Sequence, residues 1–178
     1  MNLFILSALI AFGAYVLKTR YQRQRIVLLG KQLGPFQIDK LMEDITQGYM
    51  RALGETHGAR QEQILALLHA SETKLCEQFK RFVAEFARLD AAHTRISRVP
   101  LGLPYADQWL PQATFDFRKI LQVHAQGIEN ATTNPTQRSP KDRAFVLLAE
   151  LLLMQHSCHW FCRSKSVASA RMVLRHQT

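Results

Sequence analysis

Leu3-Phe-Ile-Leu-Ser-Ala-Leu-Ile-Ala-Phe-Gly-Ala-Tyr-Val-Leu17 carries no charge, and Lys18, Arg20, Arg23, Arg25 and Lys31 follow it with no acid among them. An apolar helix bounded by cations on one side has a definite physical reading, a membrane anchor with a preferred orientation. Counted from Met1 the segment has 17 residues, about 26 Å at roughly 1.5 Å per residue and near the short limit for crossing. Lys18 and Arg20 have long apolar stems that absorb a small shortfall by snorkelling. Tyr15 and Tyr21 suit the interfacial layer, where a ring is buried and its hydroxyl wetted. The positive-inside rule then puts Met1 outside the cell (inner) membrane and the remainder of the chain in the cytoplasm.

Two other readings compete. A cleaved signal peptide needs a positively charged first region, and Met1-Asn2 supplies only the α-amino group. A core helix of a soluble protein also passes a hydropathy test at this length. The flanking cations favour the anchor. The expected organisation is a transmembrane anchor over residues 1–17, a basic juxtamembrane segment over 18–34, and a cytoplasmic helical domain over 35–178.

The rest of the chain predicts an all-α class, a single-pass anchor followed by a soluble bundle of about four helices. Gly34 and Pro35 end the first helix, with Pro35 suited to open the next because its missing N–H has no helical partner there. Ile38, Leu41, Met42, Ile45, Tyr49 and Leu53 form one apolar stripe, closed by Gly54. From Ala59 to Ser97 a seam of Leu65, Leu68, Glu72, Leu75, Phe79, Phe82, Phe86, Leu89, His93 and Ile96 repeats every three or four residues, in coiled-coil fashion. Three phenylalanines are bulky for a two-stranded coil and fit a bundle core better. Glu72 and His93 interrupt the seam, as openings in the core or points of entry for another chain.

A proline-punctuated apolar loop follows, with Leu101, Leu103, Tyr105 and Trp109 as candidate interaction residues. It reads as a lid on the bundle or a partner site. A fourth helix is expected over Phe115–Gly127, then a polar connection through Asn130. Ser139-Pro140-Lys141-Asp142 opens the last helix with a cap, a first-position proline and an acid in the first turn. Ala144 to Cys162 is long enough for a second span. Glu150 in mid-run is costly at a bilayer centre, so a core helix is the stronger reading.

The formal charge of +9 is concentrated at the two ends of the chain. Residues 1–34 carry five cations and no acid, whereas residues 35–96 carry eight cations and nine acids. Nucleic-acid binding wants a basic face across a folded body and is not expected. Cations at a membrane exit match anionic headgroups, so Lys18, Arg20, Arg23, Arg25 and Lys31 are the expected membrane-surface residues. Three cysteines, an odd number, suit a reducing compartment.

His156, His159 and Cys162 share a helical face and are the nearest thing to a metal site. No second ligand pair follows at a zinc-site spacing, so small core cysteines and polar helix histidines are the plainer account. Phosphate-loop, H-E-x-x-H and G-x-S-x-G signatures are absent, and no cofactor is expected. The expected function is a non-enzymatic, membrane-anchored adaptor or assembly subunit, meeting a protein partner or a second copy through its helices. A metal- or cofactor-binding helical protein is the first alternative. The second is a membrane-bound enzyme with Glu150 or a histidine as acid–base.

Overall fold

The computed structural model describes residues 2–97 and 111–162, and over these the protein is all-α with a small two-stranded sheet. The elements run α1 (Asn2–Leu33), α2 (Ile38–Leu53), α3 (Gly58–Ala87), α4 (Ala91–Thr94), β1 (Arg95–Ser97), β2 (Thr114–Asp116), α5 (Phe117–Thr133) and α6 (Pro140–Cys162). Gly34–Phe36 forms a 3-10 turn with proline at its start, and Gln37 takes a left-handed conformation (φ 51°) to redirect the chain into α2. The break falls at Gly34-Pro35, where no helical N–H is available to extend α1.

The described residues divide between two compact units, one of residues 2–31, 90–97, 111–117 and 158–162, the other of Gln32–Leu89 and Arg118–Ser157. In the second unit Ile38, Leu41, Ile45 and Tyr49 of the predicted stripe bury one face of α2 together with Ala52, while Met42 and Leu53 are half-buried. Leu65, Leu75, Phe79, Phe82 and Phe86 of the α3 seam are buried within the chain. The rings run as a ladder, Phe79 to Phe82 at 5.7 Å and Phe82 to Phe86 at 5.6 Å between centroids, with Phe36 meeting Phe82 edge-on at 6.2 Å. Tilted and edge contacts of this kind are the favoured aromatic geometries.

The seam does not continue to Ser97 as one helix. α3 ends at Ala87, and Asp90 caps a new short helix by accepting the Ala92 N–H at 3.0 Å. Ile96 is buried instead in β1, which pairs antiparallel with β2 so that Ile96 faces Phe115 in register. A short acidic side chain free to bond the backbone two residues on offers a turn that competes with the helix.

α5 begins at Phe117 and runs through Gly127 to Thr133. Gly127 acts there as a close approach, since a Cβ at this position would lie 2.5 Å from Glu150 Oε2 on α6. Thr132 and Thr133 return their hydroxyls to the Ile128 and Glu129 carbonyls. α6 opens as predicted, the Asp142 N–H donating to Ser139 Oγ at 3.1 Å while that hydroxyl donates to Asp142 Oδ2 at 2.7 Å.

Candidate functional site

α1 is one uninterrupted helix with two different halves. Residues 3–20 are exposed without exception, including Leu3 at 82% and Phe4 at 80%. Packing begins at Tyr21 and Gln22, and Arg25 and Leu29 one and two turns on are buried. The only side-chain hydroxyls in the bare half that seek a partner close onto their own helix, Ser7 on the Phe4 carbonyl at 2.8 Å and Thr19 on the Tyr15 carbonyl at 2.9 Å. Such closure satisfies a helix in hydrocarbon, where no water replaces a missing bond.

The five predicted surface cations do not behave alike. Lys18, Arg20, Arg23 and Lys31 are exposed. Arg20, Arg23 and Lys31 line a shallow groove along α1 with Gln24, Val27 and Leu28. Arg25 is turned inward at 6% exposure. Its guanidinium lies 4.6 Å from the Tyr21 ring centroid and 4.9 Å from that of Phe161. Nη2 donates to the Arg95 carbonyl at 2.5 Å and to the Tyr21 hydroxyl, and Nη1 is enclosed without a hydrogen-bond partner. Phe161 stacks in turn on Phe117, at 4.6 Å and 18°. Burial pushes the Cys162 thiol up to about 11, against the pull of Arg25, so no thiolate balances the guanidinium.

The second unit holds two polar clusters that sequence reasoning did not assemble. Glu72, expected as an opening in the seam, is 1% exposed and fully partnered. Tyr49 donates its hydroxyl to Oε1 at 2.6 Å, and Arg143 Nη2 lies 3.1 Å from Oε2. Arg143 Nη1 donates to His69 Nδ1 at 3.2 Å. Burial, then the hydrogen bond to Glu72, drives the Tyr49 phenol far above its usual range, so it stays a donor. This carboxylate ties α2, α3 and α6 together. The hint was an acid at a seam position, which needs a cation or hydrogen-bond donors from elsewhere in the chain.

The other cluster has the residue types of a hydrolytic triad. His124 Nε2 lies 2.8 Å from Ser157 Oγ, and Glu150 Oε2 lies 3.8 Å from His124 Nδ1. The Ser157 hydroxyl also lies 3.0 Å from the Leu153 carbonyl, so that carbonyl competes with His124 Nε2 for its proton. His124 Nδ1 is buried and faces the carboxylate from beyond hydrogen-bond distance. Burial lowers the His124 pKa, with Glu150 pulling it partly back, which keeps the ring neutral. Ser157 also lies within α6, where backbone N–H groups are committed to the helix and supply no oxyanion hole. The arrangement joins α5 to α6 through polar side chains.

Of the predicted metal residues, His156 is exposed, His159 half-buried and Cys162 buried. Among the described residues no three His, Cys, Asp or Glu side chains gather as a metal-holding group. Leu101, Leu103, Tyr105 and Trp109 lie outside the described residues. Compared with protein families, with curated proteins and with solved structures, the chain matches none.

Proposed function

We propose that this chain is a non-enzymatic, membrane-anchored adaptor or assembly subunit. Residues 1–17 cross the bilayer once with Met1 outside, and residues 18–34 carry the chain out among anionic headgroups. The helices beyond form a bundle at the cytoplasmic face that meets a protein partner.

One observation carries the reading, the bare stretch 3–20 followed at once by packed residues from Tyr21. The uncharged part of that stretch, residues 3–17, spans about 22 Å at roughly 1.5 Å each, near the short limit for a hydrocarbon core of about 30 Å. Contiguous apolar surface of this extent is not left in water by a soluble monomer. The exposed Lys18, Arg20 and Arg23 stand where headgroups lie, each worth about 1 kcal/mol near an anionic surface. The adaptor half of the reading draws on the way both polar clusters join helices and on the apolar, proline-rich stretch of sequence bearing Leu101, Leu103, Tyr105 and Trp109.

Purification of the tagged full-length chain from detergent-solubilised membranes tests the adaptor reading. A protein co-purifying in fixed stoichiometry, and lost in a Tyr105→Ala/Trp109→Ala variant, is the expected result. A chain isolated alone with catalytic turnover, or with bound metal in elemental analysis, replaces it with one of the alternatives. A reporter fused after Thr178 tests the orientation and is expected to read cytoplasmic.

A further inference from the structure

Arg25 is the only buried cation among the described residues, and no described carboxylate pairs with it. A buried charge without an anion is strongly unfavourable. Two ring faces, one carbonyl and the Tyr21 hydroxyl, all formally neutral, offset only part of that, and the Cys162 thiol stays protonated. Water would satisfy the orphan Nη1 but leave the charge unbalanced. An unsatisfied buried polar group in a native fold calls for a ligand or a role.

The depth of the guanidinium identifies the anion. Helical side chains lean toward the N-terminus of their helix, and Arg25 follows the rule by lying over Tyr21. Tyr21 is four residues beyond Leu17, about 6 Å along a helix rising roughly 1.5 Å per residue. The polar layer outside the hydrocarbon is about 5–8 Å thick on each side. With residues 1–17 in the bilayer, the guanidinium therefore sits at the level of the lipid phosphates. Its planar fork matches a phosphate oxyanion better than an ammonium does.

The geometry points to Arg25 as a phosphate-binding site at the membrane exit of α1, which takes the phosphate of an acidic phospholipid through Nη1 between Tyr21 and Phe161. Entry requires the half-exposed Tyr21 ring to turn aside. The depth argument rests on the anchor reading, whereas the oxyanion chemistry of the cage does not.

The test uses the full-length chain in neutral maltoside micelles, which contain no phosphate. The Arg25 Nε–H resonance is followed while phosphatidylglycerol or, separately, inorganic phosphate is added. The expected result is a saturable shift with the lipid and a weaker one with the free ion. Thermal protection by the lipid should require about tenfold more lipid in Arg25→Lys and be unchanged in Arg20→Lys and Arg23→Lys, which keep the surface charge. Equal saturation by inorganic phosphate supports the site and assigns it to the free ion. An Arg25 resonance unmoved by both, or protection as intact in Arg25→Lys as in Arg20→Lys and Arg23→Lys, overturns the site in favour of diffuse surface attraction. If the chain fails to stay with membranes while its Arg25 signal still responds to phosphate, the anchor reading fails and the site stands.

Discussion

Residues 3–20 of α1 and residues 144–162 of α6 have similar compositions and opposite fates. Both helices are long and apolar enough to cross a membrane, but none of the most apolar window of the first is buried against 28% of the second. In α6 the residues Ala144, Leu147, Leu151 and Met154 alternate by three and four and enter the core, leaving Phe145, Leu152 and Leu153 outside. Polar side chains pin that helix in place, Arg143 on Glu72 at one end and Glu150 beside His124 further along. The bare half of α1 has no such pins, and its hydroxyls bond only to itself. Mean hydropathy does not separate a core helix from an anchor. Polar groups placed to meet partners elsewhere in the chain do.

The largest effect that sharpens this contrast is expected from Arg143→Met. It strands Glu72 in a dry core and should cost about 3–5 kcal/mol in chemical denaturation of the chain in micelles. Leu151→Ala should lower the unfolding free energy by about 2–5 kcal/mol through lost burial and a cavity. Leu9→Ala, matched in chemistry, should stay within about 0.5 kcal/mol, because nothing in the fold packs on that side chain. Equal costs at the two positions would break the comparison. Leu9→Lys instead places a charge at the middle of the proposed anchor, against about 2.5–3.5 kcal/mol on insertion scales, and should deplete the membrane fraction without lowering folding stability.

The smallest effect concerns pH. Burial holds the folded His124 below its ordinary pKa, so the unfolded chain takes up that proton first as pH falls. Stability should therefore decline as pH drops through about 6.5 and level off below the folded pKa. His124→Asn should flatten this part of the profile in thermal melts at fixed ionic strength, and an unchanged profile would assign the dependence to another group.

Much of this architecture is written in local patterns. The break at Gly34-Pro35, the α2 stripe, the phenylalanine ladder and the Ser139 cap each need only a few neighbouring residues, and each is found where the pattern puts it. The end of α3 escaped because periodicity continues arithmetically past Ala87, while Asp90 offers the backbone a competing turn. α5 outran its expected end at Gly127 because a glycine there reads as a stop, and only the Glu150 carboxylate across the interface explains it as a close approach. Glu72 and Arg143 are 71 positions apart, so no local window links them. Arg25 was legible as a cation in a basic segment, but its inward turn depends on Phe161 and on the carbonyl of Arg95.

Alkaline carbonate extraction of membranes carrying the full-length chain tests the anchor most directly. Peripheral proteins leave under those conditions, whereas a helix in hydrocarbon stays. The intact chain, with Met1 through Leu17 still attached, is expected to remain in the pellet, and Leu9→Lys is expected to move it toward the supernatant. Recovery of the intact wild-type chain in the supernatant would contradict the account.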